Sequence, residues 1–213
     1  MAEGVRARGA DAKAALKGDR DLFLRMFERR PGPVGHGAVH LLAVLGLPDD
    51  SAAAETLKRA EVIAADRKAD AALRADALEL LALAKSDHEA PLLESLLNPQ
   101  EPDAVQIAAV KALNSIRVPK VGALLLAKWN GMSATVRAEA TNTLLSGGSD
   151  RVRLLLEAVK NGDVQAWQLA PYKPRLFMDT TADSTQRSLG GAALLSRIDV
   201  CIWRSLSQSS CTF

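Results

Sequence analysis

The sequence predicts an all-α chain, an α-solenoid of stacked antiparallel helix pairs, and three observations lead there. Apolar residues fill 48% of the 213 positions while aromatics fill only 4%, so the core is aliphatic and its Leu and Ala are strong helix formers. Strand-favouring residues are sparse apart from Val. The stretch Val105 to Trp129 is echoed by Val136 to Lys160, and an echo at fixed period marks units that cannot bury an apolar face without their neighbours. Turn-forming runs punctuate the echo: NPQEP, NGMS and NGDV separate units, while AKSDHEAP, NSIRVPK and SGGSD separate helices within them.

In chain order, residues 1–69 are irregular leading helices that serve as N-terminal capping repeats. DAKAALKGDRDLFLRMFERR reads as a helix with Leu22, Phe23, Met26 and Phe27 on one apolar face, broken by PGPVGHG. AVHLLAVLGL is a second apolar helix. DDSAAAETLKRAEVIAADRKAD is a capped amphipathic helix that starts at Ser51 or Asp50, with a stripe opening on Ala54, Leu57 and Ala60 or Glu61. His36 and His40 in HGAVH stand four apart, a spacing that can set two imidazoles on one helical face for a metal. Gly35 and Gly37 imply that the helix has barely begun there, and no acidic third ligand is near in sequence. No metal is therefore expected, and the two read as a loop histidine and a helix-surface histidine.

Residues 70–178 carry the repeats. Leu93, Leu124 and Leu155 recur at steps of 31 and 31 in the second helices, as do Leu92, Ala123 and Leu154, and Leu96, Ala127 and Ala158. Leu73, Val105 and Val136 align the first helices at 32 and 31. The mismatch assigns one extra residue to the loop between the first unit's helices, where an insertion is cheap. Asp103 and Ser133 precede first helices, where a short oxygen-bearing side chain can cap free amide hydrogens.

ATVRAEATNTLL, with Val136 and Arg137, resembles the first helix of a HEAT repeat, and DAVQIAAVKAL and AALRADALELL are degenerate versions. The succession LLNPQEPDAVQIAAVKAL, LLLAKWNGMSATVRAEATNTLL, LLLEAVKNGDVQAWQL is similar to the HEAT-repeat portion of planctomycete-type haem-binding CxxCH proteins, which are membrane-bound dehydrogenase-like. That similarity runs from near Gly4 to Met178. It implies a right-handed superhelix that scaffolds or spaces domains. In the parent architecture, which looks exported, a propeller-like dehydrogenase-type domain precedes the repeats and a c-type cytochrome domain follows. The haem function has no residues here to carry it. Attachment needs Cys-x-x-Cys-His, whereas Cys201 is followed by IWR and Cys211 by TF, and His36, His40 and His88 lie far upstream. No cofactor is expected.

Residues 179–213 are rich in Ser and Thr and hold no echo. They read either as a frame-shifted continuation or as a divergent, partly ordered tail with a short helix at Gly191 to Ile198. The N-terminus lacks the apolar region of a secretory signal. The compartment stays open.

Twenty-seven Lys and Arg against 25 Asp and Glu give a formal charge of +2, without the basic stripe that a phosphate-neutralising protein shows. Nucleophile elbows, phosphate-cradling glycine loops and zinc-protease signatures are absent. A non-catalytic scaffold binding a protein partner or flanking domains is thus the leading reading. A HEAT-like nucleic-acid binder of the DNA glycosylase type is the alternative. Arg74, Gln106 and Arg137 share one register and, with Lys111 and Glu139, form a candidate interaction strip. The same residues also fit a solvated face. Trp129 is a further interface candidate, although covering the seam to the next unit accounts for it more simply; the same choice applies to Trp167.

Overall fold

A computed structural model describes residues 3, 14–30, 32–116 and 120–172, which form helices and turns with no strand among them. The tail at 179–213, with Cys201, Cys211 and the Gly191 to Ile198 helix, lies outside the described residues. The helices are α1 (Arg20–Arg29), α2 (Pro33–Leu45), α3 (Ser51–Ala65), α4 (Ala71–Ala84), α5 (Ala90–Leu96), α6 (Asp103–Ile116), α7 (Val121–Lys128), α8 (Ala134–Ser146) and α9 (Ser149–Asn161). None of them is long and apolar enough to cross a membrane. The chain divides into two compact units, Met1–Val118 with Gly131–Val136, and Pro119–Asn130 with Arg137–Phe213.

Local chemistry sets the helix starts in the first unit. Asp50 is the N-cap of α3, its carboxylate accepting from Ala53 N at 2.8 Å, and Asp70 caps α4 by accepting from Ala72 N and Leu73 N. Proline opens α2 at Pro33, where a missing amide hydrogen costs nothing. Helix α2 therefore already contains Gly35 and Gly37, contrary to the expectation that it starts later. A β-carbon at Gly35 would lie 2.8 Å from Arg30 O, so glycine is what lets α2 fold back against the end of α1.

Packing in this unit alternates. Helices α2, α4 and α6 are side-by-side neighbours, and each is backed by the odd-numbered helix before it, α1 on α2, α3 on α4 and α5 on α6. Helix α1 also meets α3, where Glu28 accepts from Arg59 at 2.9 Å and lies 2.8 Å from the Thr56 hydroxyl. The buried stripe of α1 is Phe23, Leu24 and Phe27, with Leu22 left 45% exposed. In α3 the stripe is Ala53, Thr56, Ala60 and Ala64 rather than one opening on Ala54 and Leu57. Three of these four are alanines, which allow the close approach of α4.

Burial corrects the repeat register. Ala77, Ala109 and Ala140 are fully buried, and so are Leu81, Leu113 and Leu144, at the same steps of 32 and 31. In the second helices Leu93, Leu125 and Leu156 are buried, again at 32 and 31; of the register read from the sequence, Leu93, Leu155, Leu96 and Ala158 are buried as well, whereas Leu124 is only half-buried and Ala127 is exposed. The two helices of each unit thus keep one spacing. The extra residue of the first unit belongs to the turn before α6, in NPQEP, rather than to the loop between α4 and α5.

In the second unit α7 packs on α9, which buries Val152, Leu155, Leu156 and Ala158. A β-carbon at Gly122 would come within 3.2 Å of Leu154 and 3.5 Å of Arg151, so a bare backbone permits the approach. Gly162, at φ 87°, ends α9 in a left-handed cap that turns Asp163 N and Val164 N onto Ala158 O.

Candidate functional site

Arg74, Gln106 and Arg137 each occupy the fourth position of a first helix, α4, α6 and α8. From that position a side chain leans back over the helix start. All three donate to main-chain carbonyls of the segment just before: Arg74 Nε to Ala64 O at 3.0 Å, Gln106 Nε2 to Glu101 O at 2.9 Å, and Arg137 Nε to Trp129 O at 3.0 Å with a further bond to Asn130 O. These carbonyls lie in a final helical turn or in the turn between units, where the regular α-helical pairing of carbonyls with amides runs out. The recurring polar register therefore ties each unit to the preceding turn.

Burial removes Arg74 and Gln106 from the interaction strip. Arg74 is 2% exposed and Gln106 3%. Trp129 is 2% exposed, its indole donating to Gln168 Oε1 at 3.1 Å, as packing predicts. Arg137 and Glu139 are half-buried on α8, and Lys111 on α6 is exposed. Hydrophilicity at the repeat register suggested a surface; for Arg74 and Gln106 the helix-turn carbonyls, which need donors inside the fold, are the physical reason the side chains lie inside, while Arg137, Glu139 and Lys111 keep exposed area.

Glu101, which sequence reasoning passed over, is the hub of the first unit. Only 4% exposed, it receives Arg74 Nη1 on Oε2 at 2.7 Å and Arg67 Nε on Oε1 at 2.8 Å, while its carbonyl holds Gln106. Arg74 Nη2 is buried without a hydrogen-bond partner. Two cations around one buried carboxylate are the compensation that such a charge requires.

Asp103 is not the cap of its own helix. Being the first residue of α6, it turns its carboxylate to the hydroxyls of Ser133, at 2.8 Å, and Thr135, while Ser133 Oγ caps α8 by accepting from Val136 N at 3.3 Å. These hydroxyls, Thr135 first, hold the exposed Asp103 carboxyl below the usual aspartate range. A lowered folded pKa stabilises the fold above the unfolded value, about 4, and the gain is lost as pH falls through the folded value. Asp103→Ala is expected to lower stability by about 0.5–1 kcal/mol at pH 7, solvent screening keeping the effect small. Denaturant melts should show the gap to wild type closing in strong acid; a gap that widens there would contradict this role.

His36 and His40 both lie on α2, with ring centroids 4.3 Å apart. The fold supplies what the sequence neighbourhood lacked. Helix α4 brings Asp76 Oδ1 to 2.6 Å from His36 Nδ1, and Glu79 Oε2 to 3.6 Å from His40 Nε2. Trp167, unlike Trp129, is 56% exposed.

Comparison with protein-family models, with curated proteins and with solved structures returned no match to this chain. What is shown is an all-helical protein whose first helices share a buried alanine, a buried leucine and a backward-reaching polar residue.

Proposed function

We propose that the chain is a non-catalytic HEAT-type solenoid, a right-handed superhelix of helix pairs that holds a protein partner or spaces the flanking domains of a larger exported c-type haem protein. The observation that carries this reading is the equivalence of Arg74, Gln106 and Arg137, each at the fourth position of its helix and each bonded to the preceding turn. Repetition of a joining contact is what a linear array needs, since each unit contacts only its neighbours. The alternation of α2, α4 and α6 in the first unit supports the same reading. Trp167 is the exposed aromatic best suited to anchor a partner.

Two measurements test it. Translating the source DNA in three frames past the codons for Leu176 to Asp179 is expected to recover a helical repeat and then a Cys-x-x-Cys-His. Open frames without either would overturn the link to a haem protein and leave a free-standing scaffold. Titration with a duplex oligonucleotide at 50 and 200 mM salt is expected to give no binding. Affinity that falls by about 10³-fold or more over that range would instead favour the nucleic-acid alternative.

A further inference from the structure

We propose that His36, His40 and Glu79 form a binding site for a zinc-type divalent cation, with Asp76 as the residue that positions His36. The site stands independently of the scaffold reading.

Two neighbouring helices contribute. His36 and His40 are one turn apart on α2, and Asp76 and Glu79, three apart on α4, face them where the helices pack. The ligand atoms of His36, His40 and Glu79 lie within 4.8 Å of one another. Two imidazoles and one carboxylate, with a fourth position open, are a donor set that zinc accepts. Metal–ligand distances of about 2.0–2.1 Å place tetrahedral donors roughly 3.4 Å apart. The 3.6 Å between His40 Nε2 and Glu79 Oε2 is already close to this.

Asp76 gives the arrangement its direction. Its side chain is 7% exposed and lies 2.6 Å from His36 Nδ1. An ionised carboxylate only accepts, so Nδ1 carries the hydrogen and Nε2 keeps the lone pair that a metal takes. An Asp76–His36 bond that merely joined two helices would account for neither His40 nor Glu79. The His36 and His40 side chains are 53% and 45% exposed, so an ion can enter from solvent without opening the fold.

A second group of three donors, Glu61, His88 and Glu89, lies in the same unit, so the test must separate the two. The full chain, free of any affinity tag, is titrated with zinc chloride against a chromophoric chelator. One zinc per chain is expected, with His40→Ala and Glu79→Gln each weakening affinity by at least about 10-fold and Asp76→Asn by about 10-fold. His88→Ala should leave affinity unchanged. Nitrogen-15 shifts of His36 Nε2 and His40 Nε2 should move on zinc addition, a signature that a purely structural contact does not give. Circular dichroism checks the fold of each variant. Should Asp76→Asn fail to fold, His40→Ala and Glu79→Gln still decide, because both side chains reach solvent. Absence of saturable binding, wild-type affinity in the His36→Ala/His40→Ala chain, or loss confined to His88→Ala would each overturn the proposal.

Discussion

Replacing Arg74 by Met is expected to cost about 3–5 kcal/mol, because it leaves the buried Glu101 carboxylate short of its main counter-charge. For a chain of this length that corresponds to a melting temperature lower by roughly 10 °C. Arg67, on the other oxygen of Glu101, is 67% exposed, so Arg67→Ala should cost no more than about 1 kcal/mol. Charge and burial can be separated by a further variant. In Arg74→Met/Glu101→Leu both ions are gone, and the loss should be smaller than in Arg74→Met alone. Thermal and denaturant melts of the four chains measure this directly. Equal losses for Arg67→Ala and Arg74→Met would show that Glu101 does not depend on its buried partner.

The second large effect falls on α7. Leu125 is fully buried, while its neighbour Leu124 is half-buried. Leu125→Asp places an unpaired carboxylate in the aliphatic interior of the second unit and is expected to cost more than about 4 kcal/mol, with loss of helicity at mild temperature. Leu124→Asp should cost clearly less. Melting curves that rank the two the other way round would return the repeat to steps of 31 and 31 and discard the register seen here.

That register shows how far the sequence could be read. The first helices were legible from Leu73, Val105 and Val136, each followed by a polar residue that helps to fix the phase, and of the three Val105 and Val136 are fully buried while Leu73 is half-buried. In α7 the run Leu124, Leu125, Leu126 offers three equivalent candidates, and periodicity alone cannot choose among adjacent leucines. Burial chooses Leu125. Phase errors of the same kind put Leu22 inside and moved the α3 stripe to Ala54, because alanines on every side of a helix leave its buried face undetermined.

The candidate site was legible in part. Shared polarity at Arg74, Gln106 and Arg137 marked an equivalent position, but not whether the side chains faced solvent or the turn behind them. Glu101 gave no signal, since a glutamate within a Pro-containing turn ordinarily reads as exposed. Glu79 and Asp76 follow His40 and His36 by 39 and 40 residues, so only the packing of α4 on α2 brings them into one cluster. The histidine spacing itself was visible, and the early start of α2 at Pro33 turned it into a shared helical face.

Each of the three backward-reaching side chains has a main-chain carbonyl among its acceptors, and this has a consequence for how such a chain can evolve. A carbonyl is present whatever residue carries it, so the connecting turns are free to drift in sequence wherever their side chains are not themselves used, Glu101 with its bond to Arg74 being the exception. Donor and acceptor are ten residues apart for Arg74, five for Gln106 and eight for Arg137. Divergence should therefore concentrate in the turns outside Glu101 and spare the fourth position of each first helix.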